Sequence, residues 1–295
     1  MKILITGANG QLGQDCVKVL TKEHSLSPFS SRDLDISDNR QTASIIQRLR
    51  PDTVINCAAY TAVDNCEKDT ERCRQVNGRG PGYLAAACAA IGARIIHIST
   101  DYVFDGSKPV PEPYDEEQRV NPVSQYGLSK LAGENSVRNE TDNHLILRTA
   151  WLYGIGGKNF LKTMLRLALA KPRNTIRVVN DQFGSLTWTY SLAQQIQALL
   201  PTNLNGTLHA TAEGYSSWYE GAKYFLECID VPHRLEPCTT ADYPTPAKRP
   251  TNSILENKVL KEHGLNIMPE WKEEIKSFVA DHGAELLEEA ETPAG

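Results

Sequence analysis

Tyr126 and Lys130 stand four positions apart in Tyr126-Gly127-Leu128-Ser129-Lys130, a spacing that puts both side chains on one face if the segment is helical. An ammonium beside a phenol favours the phenolate, so the pairing predicts a lowered tyrosine pKa and a Tyr126 able to exchange a proton with a carbonyl at neutral pH. Upstream, the apolar run Ile95-Ile96-His97-Ile98 ends in Ser99-Thr100. A Thr100 hydroxyl at a strand end can hydrogen-bond the same carbonyl oxygen and orient it. Alone, the Tyr/Lys spacing also describes an ordinary surface pair. The hydroxyl-ended strand and a glycine-rich turn near the N-terminus favour the chemical reading.

That turn is Thr6-Gly7-Ala8-Asn9-Gly10-Gln11-Leu12-Gly13, leaving the apolar run Ile3-Leu4-Ile5 and opening a helix. Gly7 permits a tight turn, Gly10 lets backbone approach a pyrophosphate, and Gly13 lets the helix pack closely on a sheet. Gln11 and Leu12 begin the helix whose free N–H groups and dipole attract phosphate. The run Ser25 to Ser31 ends where an adenosine ribose would lie, and Ser30-Ser31-Arg32 stand there. Ser31 and Arg32 suit a 2′-phosphate through charge-assisted hydrogen bonds, which predicts a preference for NADP(H). Asp33 and Asp35 follow closely and leave NAD(H) use open; an exposed turn is the alternative reading of Arg32.

Positioning these groups requires a particular set of elements. Ile3-Leu4-Ile5, Thr53-Val54-Ile55, Ile95 to Ile98 and Leu145-Ile146-Leu147 read as strands alternating with helical patterns. Parallel neighbours need crossover connections that cover both sheet faces, so the fold class is α/β, a doubly wound parallel (Rossmann) sheet. Residues 1–150 are expected to form the dinucleotide-binding domain, and residues 151–295 mainly a smaller substrate-binding domain. Gly206-Thr207-Leu208-His209-Ala210 looks like one more strand, so 204–212 can return to the main sheet. A Pro-rich stretch, Pro237 to Pro250, precedes a last amphipathic segment from Ile267 to Val279, and residues 285–295 are polar, acidic and expected to fray.

Composition narrows the function classes. The chain has 295 residues, 40% hydrophobic and 23% charged, enough for a substantial core. A net charge of -5 with scattered Lys and Arg gives no footprint for nucleic acid or an anionic membrane. No apolar stretch approaches the roughly 20 residues that span a bilayer. A strand pattern from residue 2 with no cleavable signal region reads as cytoplasmic. The seven cysteines lack CxxC or ligand spacing and read as small thiols, and the seven histidines show no ligand or triad spacing.

As a set, the motifs resemble the extended short-chain dehydrogenases, and within them the dTDP-4-dehydrorhamnose reductase family, over nearly the whole chain. Those motifs are the glycine turn, Asp33-Leu34-Asp35-Ile36, Asn56 to Asp64, Ser99 to Gly106, Tyr126 to Lys130, Arg148 to Gly154, Val179 to Gly184 and Arg249 to Ser253. The resemblance implies that Asp35 and Ile36 hold the adenine and that Ala58, Ala59 and Tyr60 line the dinucleotide. It implies that Thr61, Val63, Tyr102, Trp151 and Arg249 face a small-molecule nucleotide sugar, and that Thr100, Tyr126 and Lys130 are catalytic, Lys130 also binding the nicotinamide ribose. The implied reaction is NAD(P)H-dependent reduction of the C4 ketone of dTDP-4-dehydro-6-deoxy-L-mannose to dTDP-L-rhamnose, and a homodimer is compatible with it. Related dehydratases carry Thr-Asp-Glu where this chain has Thr100-Asp101-Tyr102, which disfavours elimination. Some members hold magnesium between subunits through glutamates, matched here by Asp15 and Tyr190, so no metal is expected. Two alternatives stay open: another nucleotide-sugar ketoreductase or epimerase, and a non-catalytic NADP-binding subunit similar to the regulatory subunit of methionine adenosyltransferase. Trp151 also reads as a core aromatic, and Asp181 and Gln182 as turn caps.

Overall fold

A computed structural model describes residues 1–170 and 174–291. Five strands, β1 (Lys2–Thr6), β2 (Ser25–Phe29), β3 (Thr53–Asn56), β4 (Arg94–Thr100) and β5 (His144–Thr149), join Gly206–His209 in one six-stranded sheet. Its order is Gly206–His209, β5, β4, β3, β1, β2, with every pair parallel. Strands β3 and β5 are buried along their whole length. Helices on both faces demand this, and Val54-Ile55 and Leu145-Ile146-Leu147 supply the apolar centre of each strand. At the edge lies Ser-Leu-Ser-Pro-Phe of β2, where a proline is tolerated because an outer N–H has no ladder partner to lose.

The helices are α1 (Gln11–Leu20), α2 (Asn39–Leu49), α3 (Val63–Cys66), α4 (Thr70–Cys73), α5 (Gly80–Ile91), α6 (Gln125–Glu140), α7 (Phe160–Ala170), α8 (Thr189–Leu199), α9 (Trp218–Cys228), α10 (Lys258–Glu262) and α11 (Trp271–Glu291). Strand side chains alternate between faces, so Ile3 and Ile5 pack with Cys16 of α1 and Ile196 of α8. Leu4, between them, packs with Ile46 of α2, Leu84 of α5 and Val137 of α6. A separate core joins Leu161 and Leu165 of α7, Phe225 of α9, and Ile275 and Phe278 of α11.

Two expectations need adjusting. Helix α8 packs on the sheet layer through Leu192 and Ile196, although it lies beyond residue 150. Helix α11 continues through the stretch expected to fray as far as Glu291, because Leu286 is buried in the second core; residues 292–295 lie outside the described residues. Strand order reverses about β1 and β3, and a ligand crevice belongs outside the carboxyl ends of strands at such a switch point.

Candidate active site

Two adjoining grooves open at those carboxyl ends. The first, about 230 Å³, is lined by Gly7, Ser31, Asp35, Ile36, Ala58 and Arg72 among others. Gly7 has φ +65°, and a Cβ there would come 2.7 Å from the Ala58 nitrogen. A Cβ on Gly13 would overlap the Gly7 carbonyl, so α1 lies against the turn as only glycine allows. Helix α1 starts after Gly10 with no side-chain cap and no acid in its first turn, which leaves its first amides for an anion. These features fit a dinucleotide diphosphate.

At the outer end of this groove both carboxylates are engaged. Asp33 accepts from the Ser30 hydroxyl (2.6 Å) and amide (3.0 Å), which hold it below the usual carboxylate range. Asp35 accepts from the Ser37 hydroxyl (2.6 Å), the chief cause of its lowered pKa, and lies 3.7 Å from Arg72. Arg72 lines the groove, whereas Arg32 is exposed and outside the lining. The sequence carries no signal for Arg72, because an arginine on a short helix 40 residues beyond Arg32 looks like an ordinary surface charge.

The loop after β3 is held from below. Within a π-helical turn, Arg74–Arg79, Asn77 Oδ1 accepts from the Tyr60 backbone amide (2.7 Å) and Asn77 Nδ2 donates to the Tyr60 backbone carbonyl (3.0 Å). The Tyr60 backbone is thereby fixed, and its side chain packs with Cys66 and Tyr126 outside both linings. Ala58 faces the first groove, Ala59 borders both, and Thr61 and Val63 face the second.

The second groove, about 480 Å³, brings Gly10, Gln11, Leu12 and Gly13 together with Thr100, Tyr126 and Lys130. Thr100 ends β4, and its hydroxyl donates to Asp101 Oδ1 at 2.8 Å. Tyr126 enters at the start of α6, where the Ser124 side chain caps the helix by accepting from the Gly127 amide (3.1 Å). Tyr126, Lys130 and Glu134 follow at four-residue spacing on the face toward the sheet. Lys130 Nζ donates to the Ile98 carbonyl (2.6 Å), and burial pushes its pKa down to about 8. The expected lowering of the Tyr126 pKa is not found. Burial pushes it up, Asp101 adds to the rise, and the Thr100 hydroxyl opposes it. Desolvation of the phenolate is the largest cause, and it acts against the charged form. Asp101, also buried, is pushed up to about 6 against the hydroxyls of Ser253 and Thr100.

Beneath these groups sits a buried ionic knot. Glu134 accepts from Ser99 (2.6 Å), from Arg148 Nε and Nη2 (both 2.8 Å) and from Arg138 (2.8 Å). Burial opposes its ionisation, but Arg148 holds its carboxyl below the usual range. The knot fastens β4, α6 and β5 together directly behind Thr100 and Lys130.

The sugar-facing residues divide. Thr61, Val63, Tyr102 and Trp151 line the second groove, the rings of Tyr102 and Tyr126 standing near-perpendicular with centroids 5.4 Å apart. Arg249 lies outside the lining, joined to Asp64 by Nη1–Oδ1 (3.1 Å) and Nη2–Oδ2 (2.9 Å) and also bonded to Thr245. Trp151 stacks on Trp218, which sequence reasoning passed over as one aromatic among several. Asp181 caps a turn, accepting from the Thr240 amide (2.9 Å) and hydroxyl (2.7 Å). Asp15 is buried and accepts from Thr189 (2.5 Å), and Tyr190 lies 5.1 Å beneath Lys18.

Comparison with known proteins agrees with this geometry. The family model for the RmlD substrate binding domain matches residues 1–283. A dTDP-4-dehydrorhamnose reductase of Burkholderia thailandensis is 40% identical over 95% of this chain and 99% of its own length. A dTDP-4-dehydrorhamnose reductase structure from Clostridium acetobutylicum superposes with TM-score 0.91 at 43% identity, covering 95% of this chain and 99% of that one. One from Bacillus anthracis, in complex with NADP, gives TM-score 0.91 at 40% identity over the same shares. With its doubly wound sheet, its dinucleotide cradle and these relatives, the chain belongs to the RmlD family of dTDP-4-dehydrorhamnose reductases.

Proposed function

We propose that the chain reduces the C4 ketone of dTDP-4-dehydro-6-deoxy-L-mannose to dTDP-L-rhamnose with NADP(H) as preferred cofactor. NADPH, when bound along the two grooves, supplies the hydride. Gly7, Gly10 and Gly13 with the first amides of α1 hold its diphosphate, and Ser31 and Arg72 flank the ribose 2′-phosphate, with Arg32 exposed nearby. Tyr126 carries the reading: its burial keeps the phenol protonated at neutral pH, so it has a proton to give to the oxygen that becomes the C4 hydroxyl. Turning the Thr100 hydroxyl hydrogen about its Cβ–Oγ1 bond redirects it from Asp101 to the ketone oxygen. Lys130, fixed on the Ile98 carbonyl, brings a donor to the nicotinamide ribose side of the cleft.

We assign dinucleotide binding to residues 1–150 with 204–212 and substrate binding mainly to residues 151–295; the separate core of α7, α9 and α11 supports that division. The nucleotide sugar is the partner this cleft serves. Among the described residues no helix is long and apolar enough to cross a membrane, which fits a cytoplasmic reaction between two nucleotides. NADPH oxidation followed by absorbance, with the dTDP-linked ketone as substrate and the product identified by chromatography, tests the assignment. Tight NADPH binding without turnover would move belief to a non-catalytic subunit.

A further inference from the structure

Trp151 has a left-handed backbone, φ +48°, which an L residue with a large side chain adopts only under support. That support is visible on both faces of its indole. One face lies on Gly184, where a Cβ would come 2.6 Å from Trp151 Cε2. The other stacks on Trp218, with ring centroids 3.5 Å apart and planes 7° from parallel. Trp218 is itself anchored. It opens α9 behind a capping box in which the Ser217 hydroxyl accepts from the Glu220 amide (3.0 Å) and Glu220 accepts from the Ser217 amide (2.8 Å). Its Nε1 donates to Gln182 Oε1 (3.1 Å), Gln182 donates onward to Thr240 (3.0 Å), and Phe160 packs on it at 4.6 Å.

Trp151, Trp218, Phe160 and Leu186 together form the apolar wall of the cleft that Thr100 and Tyr126 face. Both faces of Trp151 being covered, only its edge is presented to a ligand. We infer that Trp218 is a positioning residue that clamps Trp151, and that the resulting wall takes the C–H face and methyl group of a 6-deoxy sugar, orienting C4 toward Tyr126. The inference rests on the function proposed above. An apolar wall opposite a few convergent polar groups is how a pocket fixes the orientation of a small ligand.

The test compares the wild type with Trp218→Ala and Trp218→Phe, reading KM for the dTDP-linked ketone, kcat, NADPH Kd by fluorescence titration, and near-ultraviolet circular dichroism. Trp218→Ala is expected to raise the sugar-nucleotide KM about tenfold, in line with loss of one stacked aromatic pair, with NADPH Kd unchanged. Trp218→Phe should recover most of that loss while abolishing the coupled-indole dichroism, and saturating sugar nucleotide should perturb that signal in the wild type. An unchanged KM in soluble Trp218→Ala, or a parallel rise in NADPH Kd, overturns the clamp. If Trp218→Ala does not fold, an unaltered wild-type dichroism on saturation overturns it equally. Failure of the inference is distinguishable from failure of the proposed function, because the first leaves wild-type turnover intact and the second abolishes it.

Discussion

Arg249 grips Asp64 with both terminal nitrogens, at 3.1 and 2.9 Å, and so ties the segment before residue 250 to the helix that follows the dinucleotide loop. Asp64 also accepts from the Ala247 amide (3.1 Å), and the Arg249 hydrogen bond is the chief cause of its lowered pKa. A planar fork matched to a carboxylate is not replaced by an ammonium. Arg249→Ala and Asp64→Asn should each raise the sugar-nucleotide KM roughly tenfold, the scale of one lost charge-assisted hydrogen bond, and Arg249→Lys should recover little. Steady-state kinetics at saturating NADPH decide it. Wild-type KM in both variants would mean that the pair fastens the loop without bearing on substrate.

Tyr126→Phe keeps the ring packed near-perpendicular to Tyr102 and removes the proton. Turnover should fall about 10² to 10⁴-fold, the usual worth of general acid catalysis, while NADPH affinity stays near that of the wild type. Activity within a few-fold of the wild type would sink the role proposed for the phenol.

The Lys130 ammonium provides the pH signature. Its folded pKa of about 8 lies below the ordinary lysine value, so between the two the unfolded chain binds more protons and stability rises with pH over that window. Activity runs the opposite way, since the charged donor is lost above about 8. A plot of kcat/KM for NADPH, which reports the free enzyme, should therefore bend down on its alkaline side near that value. Lys130→Met should lower the plateau and remove the bend; an alkaline limb retained in this variant assigns the titration elsewhere.

Cofactor preference should depend on Arg72 more than on Arg32, because only Arg72 lines the adenosine groove. Arg72→Ala is expected to weaken NADPH about tenfold, the loss of one charge-assisted contact, and NADH by far less. Titration of both cofactors with both variants measures the ratio. A preference that moves only in Arg32→Ala reverses the assignment.

Glu134→Leu should unfold the protein more easily by roughly 3 to 5 kcal/mol, because it strands the buried Arg148 without its counter-ion. Urea denaturation gives the difference, and a change under 1 kcal/mol would show that Arg148 finds another partner.

Local groups were readable in the sequence and non-local ones were not. The glycine turn and the Tyr126/Lys130 pair lie within single segments, where chain geometry fixes their relation. Arg249 and Asp64 are 185 positions apart, and Trp151 and Trp218 are 67, so only tertiary packing joins them. Burial explains the failure over Tyr126: spacing places Lys130 on the same face, but only the folded chain shows how far the phenol is removed from water. Arg72 was missed for a related reason, since nothing in its short helix reveals which groove it borders. The returning strand at residues 206–209 was legible from the short run Gly206-Thr207-Leu208-His209-Ala210, which is itself local.

That returning strand has a consequence for synthesis on the ribosome. The outer edge of β5 is complete only when Gly206–His209 pairs with it, some 57 positions after β5 ends. While those residues are still inside the ribosome, the nascent chain carries a parallel strand with the apolar centre Leu145-Ile146-Leu147 and its backbone donors and acceptors open, the kind of edge that recruits other chains. Arg94, at the start of β4, donates to the carbonyls of Leu199 (3.2 Å) and Thr202 (2.8 Å), and so holds the segment that leads into Gly206–His209 against the sheet. A chain cut short within α8 would lack this closure and keep β5 as an aggregation edge, even with every residue of the glycine turn and the Tyr126/Lys130 pair already made.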